Sequence, residues 1–150
     1  MTKVHKLLVL LPKDRTLTGM LHSIQEDGQI AFSAPCRGKA DNGRAVKENN
    51  PERKPVLPYG DTPSGRYKMT SPIPLQSNPR LGRWFIPMKG MTGDAAAAAN
   101  YGRTGLGIHA GRGDDELIAT YGCVRLRDSD MDKLAALLGK TKFTIEVMDI

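Results

Sequence analysis

The sequence predicts a mainly β domain with one C-terminal α-helix, spanning residues 1–150 as a single unit. Three observations carry this: short apolar runs with partial two-residue alternation, turn residues between them, and a single helical period near the C-terminus. With 39% hydrophobic and 25% charged residues, the composition is that of an ordinary folded domain, neither disordered nor fibrous. A chain of this length buries enough surface for one core, so no second domain is required.

Residues 4–11 are an aliphatic run and residues 16–24 partly alternate, so both read as strands. Asp27-Gly28 supplies a hairpin turn and residues 29–34 resume the strand pattern, giving an antiparallel meander. Residues 35–60 are polar and rich in Gly, Pro, Asn and Lys, which reads as a long loop, either a flap beside a substrate or a solvated insertion. Thr62-Pro63-Ser64-Gly65 is a turn signature, followed by strands at 66–70 and 83–88, the latter with the only Trp as a core aromatic. Between Lys89 and Gly105 the glycines and the run Ala95 to Ala99 read as a loop that orders over a site, with at most a short helix. Ser129 and Asp132 resemble a capping box, Met131, Leu134, Ala135 and Leu138 share a helical face, and Gly139 ends the helix. Phe143, Ile145 and Val147 then mark a last half-buried strand.

The formal charge of +6 favours anionic partners, but the basic residues are dispersed and aromatic platforms are few, so no nucleic-acid partner is expected. Met1 to Pro12 is too short and lacks a cleavage site for a signal peptide, and no segment reads as a membrane span. Two cysteines, Cys36 and Cys123, are too few for a disulfide framework and lack the spacing of a zinc site, although one bridge stays open. Cys36 follows a proline in the polar loop with no suitably placed His and reads as incidental. His5 and His22 read as ordinary strand residues.

The segment Leu106 to Leu126 holds the chemistry, because a thiol needs a nearby base to become a thiolate and His109 can return across a loop to Cys123. Gly107-Ile108-His109 and Thr120-Tyr121-Gly122-Cys123-Val124-Arg125 together resemble the signature of the L,D-transpeptidase catalytic domain, the YkuD type. Thr62 to Tyr67 resembles that family's turn and strand, and Leu126 to Val147 its closing helix and strand. Two features depart from the family: Tyr121 stands where His is common, and the interval from His109 to Cys123 is short.

The resemblance implies a mixed β-sandwich and a cysteine acyltransferase that cleaves the L,D bond of peptidoglycan tetrapeptide stems, as carboxypeptidase, transpeptidase or both. Cys123 is then the nucleophile, His109 the base, the Ala110 carbonyl the group that orients the imidazole, and the Gly122 and Cys123 N–H groups the oxyanion donors. Thr120, Tyr121 and Arg125 fall along the substrate, with Arg125 either holding a carboxylate or bracing the loop. Asp114, Asp115 and Glu116 read as a solvated loop face. No metal or organic cofactor is implied. The substrate lies in the periplasm and cell wall while no export signal is visible, so delivery by type VI secretion as an antibacterial effector, with an immunity protein as partner, fits. A wall-binding module without turnover is the rival reading, and keeping both His109 and Cys123 argues against it.

Overall fold

The computed structural model describes residues 3–150. Aliphatic residues at Val4, Leu7, Val9 and Leu11 point one face of β1 (Val4–Leu11) into the core, making it an interior strand of a five-stranded sheet. It pairs antiparallel with β2 (Gly19–Gln25), which pairs antiparallel with β3 (Ile30–Cys36), so the expected meander is present. On its other edge β1 pairs parallel with β9 (Phe143–Asp149), and β4 (Gly65–Thr70) closes the sheet antiparallel to β9. A second sheet runs in the order β5 (Ile73–Asn78), β6 (Gly82–Pro87), β7 (Gly107–His109), β8 (Val124–Arg125), and its last pair is parallel. Leu7, Val9 and Ile145 of the first sheet and Ile86, Ile108 and Val124 of the second belong to one core, as the mainly β expectation requires.

Besides the C-terminal helix α3 (Asp128–Leu138), two short helices form, α1 (Asn42–Lys47) and α2 (Gly93–Asn100). The alanine run is therefore helical rather than a loop: Ala95 and Ala98 are buried, and packing against β4 stabilises a helix too short to hold alone. The start of α3 also differs from the expected capping box, because Ser129 lies inside the helix and the Asp114 carboxylate accepts its N–H at 2.9 Å. Asp128 accepts the N–H groups of Gly111 and Gly113 at 2.6 and 3.0 Å. Asp114 is thus a helix cap, and its exchange with Asp128 clamps the loop after His109 onto α3.

The polar segment after β3 is ordered by side chains bonding to main chain. Buried Asn50 donates to the Lys54 and Pro58 carbonyls and accepts the Lys54 N–H, while Arg53 pairs with Asp61 at 3.1 Å. Its first residues run along the loop that carries Cys123, with Asp41 N–H donating to the Thr120 carbonyl at 2.7 Å and Thr120 N–H to Lys39 at 3.1 Å. The segment is a built wall of the cleft. No helix among the described residues is long and apolar enough to cross a membrane.

Candidate active site

β7 and β8 lie side by side in parallel, with Ile108 opposite Val124 and His109 opposite Arg125. Because side chains alternate along a strand, Ile108 and Val124 enter the core and their neighbours His109, Arg125 and Cys123 turn toward the other face. That face opens on a cavity of about 1000 Å³ lined by His109, Cys123 and Arg125, by Thr120 and Tyr121, and by Asp41, Pro58 and Tyr59 of the polar segment. His109 is 3% exposed and stacks on Phe85, ring centroids 6.2 Å apart, and its Nδ1 lies 2.8 Å from the Ala110 carbonyl. A carbonyl only accepts, so Nδ1 carries the proton and Nε2 is left as the basic nitrogen. Burial pushes the imidazole pKa down to about 4, partly opposed by the Ala110 carbonyl and reinforced by the Arg125 charge. At neutral pH it is an uncharged base.

Cys123 is 8% exposed, and its Sγ lies 3.6 Å from the Gly105 carbonyl. Burial raises the thiol's pKa, while the Gly107 N–H and the charges of Arg103 and Arg125 pull it down. Cys36 ends β3 in the core rather than in a polar loop, fully buried, with its thiol pushed up to about 12. Both thiols are free, so no bridge silences Cys123.

Around Cys123 the loop is tied down by groups that the sequence suggested would meet substrate. Thr120 Oγ1 accepts the Gly122 N–H at 3.0 Å and donates to the Cys123 carbonyl at 2.9 Å, so that amide is engaged within the loop and the hydroxyl is a staple. Of the two amides that the resemblance implies as oxyanion donors, that of Gly122 is the one bonded to Thr120. Arg125 donates from Nε to the Ile118 carbonyl and from Nη1 to the Ala110 and Gly111 carbonyls, each at 2.7 Å. These bonds make Arg125 a brace, and one of them holds the same Ala110 oxygen that orients His109. Tyr121 is 44% exposed, edge-on to Tyr59 at 5.6 Å, with the Arg44 and Arg80 guanidiniums each 5.5 Å from its ring.

The L,D-transpeptidase catalytic domain model, of the YkuD type, matches residues 16–147. The chain belongs to this family. Among solved structures, Bd1075 of Bdellovibrio bacteriovorus is 16% identical with a TM-score of 0.59, over 97% of this chain and 49% of that one. A mutant of the helical cell shape determining protein Pgp2 from Campylobacter jejuni is 17% identical with a TM-score of 0.59, over 99% of this chain and 49% of that one. These likenesses are of fold, and the chain spans about half the length of both structures. A search of curated proteins finds no match.

Within this L,D-transpeptidase domain, two positioning groups escaped the sequence reading. Thr62, fully buried in the turn before β4, donates its hydroxyl to the Gly122 carbonyl at 2.6 Å. Arg103 donates to the Gly60 carbonyl at 2.8 Å, to Asp61 at 3.1 Å and to Tyr121 at 3.4 Å, and also to Pro55, joining the polar segment to the nucleophile loop. Gly122 is indispensable to this junction: its φ is +115°, and an added Cβ would stand 1.9 Å from Arg103 Nη2. No sequence period marks Arg103, because its partners are main-chain carbonyls. Arg103→Ala strands several buried acceptors and is expected to cost about 3 kcal/mol of unfolding free energy. Urea denaturation measures it, and a loss below about 0.5 kcal/mol, the level of an ordinary surface substitution, would show the junction to be dispensable.

Proposed function

We propose that the domain is a peptidoglycan-modifying cysteine acyltransferase acting on the L,D bond of tetrapeptide stems. The observation that carries the reading is a neutral imidazole, held by Ala110 through Nδ1, on the strand beside the one that Cys123 precedes, with both side chains opening on one cavity. In the proposed reaction Cys123 Sγ attacks the scissile carbonyl as its proton passes to His109 Nε2. The Cys123 N–H stabilises the oxyanion, and the tetrahedral adduct collapses as His109 returns the proton to the leaving amine of the terminal D-residue. A thioester remains. Water or a second stem's amine, deprotonated by His109, attacks it and restores the thiol.

The test is a time course on purified disaccharide-tetrapeptide, following tripeptide, crosslinked dimer and protein mass. Tripeptide is expected ahead of dimer, because an acceptor amine must be held in near-attack geometry to outcompete water. The cavity wall that Cys123 shares includes Tyr121 and Tyr59, packed edge to face. Early dimer in excess would reverse that ranking, and neither product, with no thioester on Cys123, would favour a binding module. The place of action in this reading is the bacterial periplasm. Directing the domain to the periplasm of a sensitive cell should damage the wall and confining it to the cytoplasm should not; harm in both cases would remove the wall as target.

A further inference from the structure

Four arginines line the cleft, and two of them are consumed by the fold: Arg103 and Arg125 donate to main-chain carbonyls. Arg44, packed behind Tyr121, pairs with Glu48 at 3.2 Å and donates to the Tyr59 hydroxyl at 3.2 Å. Arg80 and Arg112 differ. Among the described residues neither guanidinium has a hydrogen bond or an ion pair, and both are exposed at the cavity. Asp41, the acid in the cavity lining, accepts the Arg44 N–H as the cap of α1.

The backbone holds these two cations together. Arg112 N–H donates to the Pro79 carbonyl at 3.0 Å, so the turn between β5 and β6 is stitched to the loop that follows His109. Gly111, at φ +100°, permits the approach, since a Cβ there would lie 2.4 Å from the Arg80 carbonyl. Arg80 is further oriented over the Tyr121 ring, two residues before Cys123. Arg112 has a φ of 66°, a left-handed conformation in which a side chain is strained and glycine is not. Holding an arginine in that conformation between Gly111 and Gly113 is the kind of local cost found at functional sites.

We infer that Arg80 and Arg112 form a carboxylate site that reads the C-terminal carboxylate of the stem's terminal D-residue. The inference rests on the proposed acyl-transfer reading for its orientation. His109 protonates the leaving amine, so the leaving residue lies on the His109 side of the cleft, where Arg112 follows three residues on and Arg80 sits across the stitched turn. The carboxylate of that residue is two bonds from the amine, and guanidinium forks match it with charge-assisted hydrogen bonds. The consequence is an enzyme that trims a free stem end and disfavours stems whose terminal carboxylate is blocked.

The experiment compares three disaccharide-tetrapeptides, one with every carboxylate free, one amidated at the C-terminus, and one amidated on the diamino-acid side chain. The fully free stem is expected to exceed the C-terminal amide in kcat/KM by roughly 10- to 100-fold, chiefly through KM. Arg80→Gln and Arg112→Gly should each pull that ratio toward one, and Arg112→Gly should keep or raise Tm because it relieves the backbone. Equal turnover of acid and C-terminal amide, a ratio unchanged in both variants, or sensitivity only to the side-chain amide would overturn the assignment. If no stem is turned over, the proposed reaction fails separately. The carboxylate site is then judged by calorimetric binding of the same stems to wild type and both variants, where the same ranking supports it and equal affinities overturn it.

Discussion

Cys123→Ala is expected to lower release of the terminal D-residue from disaccharide-tetrapeptide by at least about 10⁴-fold, because no other group can form the acyl intermediate. Cys36→Ala should keep turnover within a few-fold and cost about 1 kcal/mol of stability, the consequence of deleting one buried sulfur. The contrast follows from position. Cys123 lines the cavity beside the Gly107 N–H, whereas Cys36 is fully buried in β3 with its thiol pushed up to about 12. A small alkylating reagent on the native protein should therefore add one adduct, mapped by mass to Cys123. Equal loss of activity in the two alanine variants, both still folded, would reject Cys123 as the nucleophile.

The strands readable in the sequence are those long enough to show a period. β1 is an aliphatic run of eight residues, β2 and β3 run for seven each, and Gly28 turns β2 into β3 at φ +86°, so meander and turn were both legible. β7 and β8, which position the chemistry, are three and two residues long and carry no period of their own. Their place was visible only through the motif around His109 and Cys123. β5 was hidden because Pro74 interrupts its pattern, which an edge strand tolerates.

The groups around the site were less legible than the dyad candidates themselves. Thr120, Gly122 and Arg125 occur where the motif suggests substrate or oxyanion contacts, yet the Thr120 hydroxyl, the Gly122 amide and the Arg125 guanidinium all bond to groups between Ala110 and Cys123. Side chain to main-chain bonds depend on where the backbone passes in space, and a residue type at a sequence position does not encode that. Arg103 illustrates the same limit, since its acceptors lie about 40 residues away or more at Pro55, Gly60 and Asp61. The polar segment reads as a loop for a related reason: its order comes from buried Asn50 and Arg53 rather than from an apolar face.

His109→Gln is expected to lower kcat/KM by between about 10² and 10⁴-fold, the range a positioned base supplies. The amide keeps much of the ring's polarity but accepts no proton at neutral pH, so the loss reports the base rather than the packing against Phe85. Wild type should show the acid limb of kcat/KM near pH 4, not near the usual histidine value of 6.5, because burial disfavours the imidazolium of the free enzyme. The same depression sets a stability window. The unfolded chain takes up a proton on this ring as pH falls below 6.5, while the folded protein does so only near 4, so wild-type stability should drop between those values by about 3 kcal/mol on this account. Below the lower value this contribution is exhausted. His109→Gln removes the titrating ring and should flatten that part of the pH–stability curve. A wild-type activity limb at 6.5, or an equally steep acid loss of stability in the variant, would show that His109 is not the buried neutral base on which Cys123 depends.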